Sequence, residues 1–175
     1  MIFEITSGHM VASDPCYKGT VGPIFIDNVA NGDWFVSVTY GDFHRPSMLV
    51  AYHDNYRTDE YPNRKIRENV RWKPLEEGCV DSGQFGFFDH NEWIKHDTIE
   101  EKAYDDHTWY GKCCDITLSK SSYGTINDAG VVSSTLYGDG SYPVDVLVTD
   151  SGTVVGVRVD FDPTYEDEDE EDWDE

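Results

Sequence analysis

The chain has 175 residues, 14% of them aromatic, and a formal net charge of −22. A chain of that length and aromatic content can bury a real core, which argues against global disorder. The carboxylate excess repels phosphate backbones, because nucleic-acid affinity depends on Lys and Arg displacing counterions. Wrapping of a duplex nucleic acid is therefore not expected.

The charge is unevenly spread. Nine of the ten residues from Glu166 to Glu175 are acidic, the exception being Trp173, and the remaining 165 residues still carry −13. One domain over residues 1–163 and a disordered acidic tail over 164–175 are expected, since like charges in a low-complexity run repel one another. Within the acidic body lies a basic segment holding Arg57, Arg64, Lys65, Arg67, Arg71 and Lys73. It either pairs with the acidic surface or tail, or offers Arg forks to an anion such as a nucleotide phosphate.

The opening MIFEITSGHM has neither a basic nor an apolar region of the kind a signal peptide needs. No apolar run approaches the ~18 residues of a membrane span. The expectation is no membrane association, a cytoplasmic location (host cytoplasm if phage-encoded) and reduced thiols at Cys16, Cys79, Cys113 and Cys114.

In chain order, Met1 to Thr6 alternates and opens a sheet. Val21 to Val29 is a second strand, and Asn31-Gly32-Asp33 reads as a hairpin turn into Trp34 to Tyr40. There Trp34, Val36 and Val38 share one face, with Phe35, Ser37 and Thr39 on the other. Ser47 to His53 is a short apolar strand. Asp54 to Pro74 is polar, broken by Pro62 and Pro74, and reads as a long excursion. Cys79 to Phe88 reads as one strand containing two glycines, and His90 to Tyr110 as helix, with a break at Asp97-Thr98 that makes one helix or two. Asp115 to Lys120 and Gly130 to Tyr137 read as strands. Tyr142 to Thr149, the turn Asp150-Ser151-Gly152 and Thr153 to Phe161 form a last hairpin. Strand following strand, with turn signals at short spacing, predicts a mainly β fold (α+β being the neighbouring class), an antiparallel sandwich or barrel-like sheet with one or two helices around residues 90–110.

Four segments are more constrained than a generic β protein needs: Ser13-Asp14-Pro15-Cys16-Tyr17, Val80 to Gly86, Trp109 to Asp115, and Ser133 to Pro143. Gly138-Asp139-Gly140 is a two-glycine turn around a carboxylate, either a tight turn needing positive φ or a backbone that a ligand approaches closely. Asp81-Ser82-Gly83-Gln84 places a carboxylate, a hydroxyl and an amide within four residues. In a regular strand Asp81 and Gly83 would face one way and Ser82 and Gln84 the other, unless a bulge at Gly83 re-aims them. Cys113-Cys114 is a pair of buried small hydrophobes, a vicinal disulfide, or a nucleophile beside a base. The Cys and His spacings of a structural zinc site are absent. Asp14, Asp81, Asp89, Asp115 and Asp139 could converge on a hard cation, but no fixed loop spacing supports that. Neither a metal nor a cofactor is expected.

The stretches Ser7 to Tyr17, Val80 to Asp89, Cys113 to Asp115 and Val132 to Tyr142 together resemble an uncharacterised bacterial and phage small-protein family with S-D-P-C-Y, V-D-S-G-Q, C-C-D and Y-G-D-G-x-Y motifs. The resemblance spans nearly the whole chain except the basic segment and the tail. It implies an accessory protein of host–phage conflict, of a counter-defence or immunity type, and names no substrate.

Three readings of function remain open. The first is a binder that sequesters or inhibits a protein partner with a basic surface, or a small anionic nucleotide-like ligand. The second is a hydrolase of a nucleotide-like or phosphorylated substrate, with Asp81, Asp139, Cys113 and Cys114 as catalytic candidates. The third is an acidic DNA mimic. Candidate ligand-binding residues are Asp14, Tyr17, Ser82, Gln84, Tyr137, Gly138, Gly140 and Tyr142, with Arg64, Arg67 and Arg71 from the basic segment.

Overall fold

The computed structural model describes residues 1–57, 69–97 and 107–163. Arg64, Arg67 and the acidic tail lie outside the described residues. The strands are β1 (Ile2–Ile5), β2 (Met10–Ser13), β3 (Ile24–Ile26), β4 (Gly32–Tyr40), β5 (Pro46–His53), β6 (Val70–Val80), β7 (Gln84–Asp89), β8 (Tyr123–Thr125), β9 (Gly130–Ser134), β10 (Gly140–Thr149) and β11 (Val154–Asp160). Among the described residues there are two α-helices, α1 (His90–Asp97) and α2 (Trp109–Thr117), and two short 3-10 turns at Asp42–His44 and Asp54–Tyr56. Every strand pairing is antiparallel. One sheet has the order β1-β4-β5-β11-β10-β6 and the other β3-β2-β7-β9-β8, so the chain is a sandwich rather than a closed barrel.

Between the sheets, Phe3, Trp34, Leu49, Val144, Val146, Val157 and Phe161 from the larger sheet meet Met10, Ala12, Phe85, Phe87 and Val131 from the smaller. The smaller sheet is covered on its other face too. Val11, Phe88 and Val132 point outward into a second core made with Trp93 of α1 and with Trp109 and Cys113 of α2. That second layer explains why β7 is buried at all six positions, as a strand covered on both faces must be. Phe88 packs its ring against both Trp93 and Trp109. Gly86 is required beside Phe88, because a Cβ there would lie 2.3 Å from the Val131 carbonyl oxygen and 2.6 Å from the Phe88 ring.

Several sequence expectations are corrected. Asn31-Gly32 does not close a hairpin: the strand before it, β3, pairs with β2 in the smaller sheet, and the strand after it, β4, pairs with β1 and β5 in the larger one. The turn signal marks a crossing between layers. Cys79 to Phe88 is two strands, because Asp81-Ser82-Gly83 turns the chain, with Gly83 at φ 70°. Val70 to Pro74 belongs to β6 rather than to a loop. Pro74 is tolerated because β6 is an edge strand and needs no donor on its open side. Asp115 to Lys120 is no strand. Its first residues finish α2, which starts where Thr108 caps the Gly111 N–H at 2.9 Å. Among the described residues no helix is long and apolar enough to cross a membrane.

Candidate functional site

Asp14 follows β2 and is fully buried. Its carboxylate accepts four hydrogen bonds. The Asp81 and Ser82 N–H groups donate to Oδ2 at 2.8 and 2.7 Å, and the Cys16 N–H and the Ser82 hydroxyl donate to Oδ1 at 2.8 and 2.6 Å. A buried carboxyl group is tolerated when its oxygens are bonded in this way. The 81–83 turn makes this possible: leaving strand geometry, it aims two consecutive N–H groups and one side chain at the same carboxylate.

From Ser82 the network continues into the helix. The Gln84 amide nitrogen donates to Ser82 Oγ at 3.3 Å and lies 3.5 Å from Cys114 Sγ. The Thr117 hydroxyl reaches Gln84 Oε1 at 3.1 Å, with the Cys113 and Cys114 carbonyls at 3.2 Å as its other acceptors. Tyr110, Cys114 and Thr117 stand at i, i+4 and i+7, which is one face of a helix.

Cys16, Tyr110 and Tyr17 are held protonated. Burial, and next the Asp14 carboxylate, push the Cys16 thiol up to about 12. Burial likewise pushes the Tyr110 phenol up to about 12, against a lowering hydrogen bond from Ser82 and with Cys114 adding to the rise. At the rim, Tyr17 donates to Asp81 Oδ2 at 2.6 Å, and burial followed by that bond raises the phenol's pKa.

The Ser133–Pro143 segment joins through backbone. Thr135 N–H donates to the Gly83 carbonyl at 3.0 Å. Gly138 lies beside Gly83, and its carbonyl accepts from the Thr135 hydroxyl at 2.7 Å and the Tyr142 hydroxyl at 2.9 Å. Gly138 and Gly140 take φ of 81° and 154°, so the turn does require glycine. Tyr137 is 66% exposed and donates to Asp162 at 2.9 Å. Asp139 is exposed at the tip.

Stretches distant in sequence thus meet at one end of the sandwich. Asp14, Tyr17, Asp81, Ser82, Gln84 and Cys114 form a continuous polar network, and Tyr137, Gly138, Asp139, Gly140 and Tyr142 form its neighbouring turn. Cys113 is not part of it. It faces another side of α2, about 100° around the helix from Cys114, fully buried against the tryptophans. Arg71 is not part of it either. It sits at the far end of β6, ten residues or about 30 Å of strand from Asp81. Arg57 stacks on Phe35 at 3.5 Å. Asp89 is likewise elsewhere, bonded to the Thr6, Ser7 and Asn91 N–H groups. Among the described residues no group of three or more His, Cys, Asp or Glu side chains could hold a metal ion.

Sequence reasoning passed over three members of the network: Cys16, Tyr110 and Thr117. The i, i+4, i+7 spacing could have found the last two, had residues 115–120 been read as the end of a helix. No family model, curated protein or solved structure matches the chain.

Proposed function

We propose that the protein is a non-catalytic binder that uses this end of the sandwich to engage a partner with a basic surface. One observation carries the reading: the four motif segments meet in a single network whose carboxylate is saturated and whose Cys16 and Tyr110 remain protonated at neutral pH. A hydrolase needs an available base or an ionised nucleophile. Asp14 offers no unengaged oxygen, and Cys16 offers no thiolate. The rim carries Asp81, Asp139, Asp162 and the exposed Tyr137, a combination of carboxylates and an aromatic that suits cationic side chains. An anionic ligand fits less well, since Arg71 lies at the far end of β6. A role in host–phage conflict rests on the motif resemblance alone, and the DNA-mimic reading on charge alone.

The test pairs capture with turnover. The full chain is used as bait for basic proteins and, separately, examined by thermal shift with a nucleotide panel and assayed against phosphorylated substrates. The expected result is a basic partner retained by the wild type and released by the double change Asp81→Ala, Tyr137→Ala, with no hydrolysis. Turnover of any substrate, abolished by Asp81→Asn, would replace the binder with the hydrolase. Stabilisation by nucleotides alone would replace the basic partner with an anionic ligand.

A further inference from the structure

The turn between β4 and β5 carries an aromatic residue that the fold gives no reason to place there. Phe43 and His44 take φ of 58° and 56°, and the Arg45 N–H closes on the Asp42 carbonyl at 3.2 Å. Tight hairpins ordinarily build two consecutive left-handed residues inside such a bond from Asn-Gly, which tolerates positive φ. A bulky side chain at that position strains the backbone. Phe43 is nonetheless 91% exposed, so packing inside the protein offsets none of the strain. An exposed ring held on a strained turn points to a contact with another molecule.

The turn sits beside the rim described above. Gly41 lies against Leu136, a Cβ there falling 3.4 Å from the Leu136 side chain. The Phe161 N–H donates to the Ser47 carbonyl at 2.8 Å, which brings Asp162 to the same edge. The bond to Asp162 raises the Tyr137 phenol's pKa first, and the Asp42 charge adds to it. Two exposed rings, Phe43 and Tyr137, therefore stand at one end of the sandwich with the carboxylates of Asp42 and Asp162. Among the described residues no cation pairs with either carboxylate. The chain leaves the described fold at Pro163, directly after Asp162, and nine of the ten residues from Glu166 to Glu175 are acidic. A partner seated here meets aromatic faces inside a negative field.

Elsewhere the same protein shows which side chain an aromatic and a carboxylate hold together. Arg158 places its guanidinium 4.2 Å over the Trp72 ring while its Nε donates to Asp145 Oδ2 at 2.9 Å. A planar guanidinium stacks on a ring and donates in its own plane at once, which a lysine ammonium does not. We propose that Phe43 anchors an arginine-bearing segment of the basic partner, its guanidinium groups stacking on the Phe43 and Tyr137 rings and forking onto Asp42 and Asp162. This deepens the binding reading above and rests on it: a basic partner engages this end, and the end selects arginine over lysine.

Calorimetry with the full chain, an oligoarginine peptide and an oligolysine peptide of equal length tests it. The wild type is expected to bind oligoarginine about fivefold more tightly, as exposed cation–π contacts allow. Phe43→Asn with His44→Gly keeps the turn and removes the ring. That variant is expected to lose the preference for arginine and to unfold at a higher denaturant concentration, because its turn is relieved of strain. Equal binding of both peptides by the wild type would overturn the arginine assignment and leave the binding reading standing. A preference that survives in the variant would overturn Phe43 as the anchor. A variant less stable than the wild type would show that the ring serves the fold, and the proposal would fall on that result too. Binding of neither peptide would sink the binding reading itself, and this proposal with it.

Discussion

The smaller sheet carries the same device at both ends. Asp89, at the end of β7, accepts two consecutive N–H groups from the β1–β2 connection, Thr6 and Ser7, plus that of Asn91 two residues on. Asp14, at the end of β2, accepts two consecutive N–H groups from the β6–β7 turn, Asp81 and Ser82, plus that of Cys16 two residues on. Each carboxylate pins a distant loop to a strand end and satisfies donors that burial would otherwise orphan. There the likeness stops. Around Asp89 the bonds reach backbone N–H groups and one side chain, the Ser7 hydroxyl, which passes only to the His9 backbone, whereas around Asp14 they continue through Ser82 into Gln84, Cys114 and Thr117, with Cys16 and Tyr110 alongside. A brace needs only the first part. The surplus at the Asp14 end is the part that structure alone does not call for.

If both carboxylates are braces, removing either should cost the same. Asp89→Ala and Asp14→Ala are each expected to destabilise the fold by about 3 kcal/mol in chemical denaturation, since several buried donors lose their acceptor at once. A much smaller loss at Asp14 would mean that its network is not bracing the turn.

Solution pH should separate the two ends. For Asp89, burial works to raise the pKa, and the three N–H donors together with the Ser7 hydroxyl override it and hold the carboxyl below its ordinary value. A depressed folded value contributes stability above the ordinary carboxylate range, and that stability is lost as pH falls through the folded value. Cys16 and Tyr110 behave oppositely, raised to about 12 from ordinary values of 9.0 and 10.0. Their contribution is complete below pH 9.0 and declines as pH rises toward 12. Denaturation across pH is expected to show an acid limb flattened by Asp89→Asn and an alkaline limb flattened by Cys16→Ala with Tyr110→Phe.

Smaller effects are expected where the surplus groups are removed. Gln84→Met keeps most of the volume and leaves Thr117 its helix carbonyls, so a cost of about 1 kcal/mol is expected by equilibrium unfolding. Cys114→Ala, half-buried, should change stability by less than about 1 kcal/mol. Large losses in both would make the surplus structural after all.

How much of this was legible beforehand follows from what each signal measures. Period-2 alternation located Trp34 to Tyr40 with the correct inward face, because one side of β4 stays open. It merged β6 with β7, because a strand covered on both faces has no alternation to break. The vicinal cysteines show the same limit. With helix read as ending at Tyr110 and Asp115 to Lys120 read as a strand, Cys113 and Cys114 carried no facing information. On α2, Cys113 and Cys114 point about 100° apart, one into tryptophans and the other into the polar network. The motif segments were visible in sequence, but their meeting depends on the 81–83 turn and on Asp14 reaching across 67 positions to Asp81. Nothing local encodes that distance.

The central claim is that the Asp14 end binds and the Asp89 end only braces. The most direct measurement is the affinity of the captured basic partner, by calorimetry, for two full-length surface variants: Asp81→Ala with Tyr137→Ala at one end, Glu4→Ala with Asn91→Ala at the other. The account predicts that binding collapses in the first and is unchanged in the second. Equal loss in both, or loss only in the second, would contradict it.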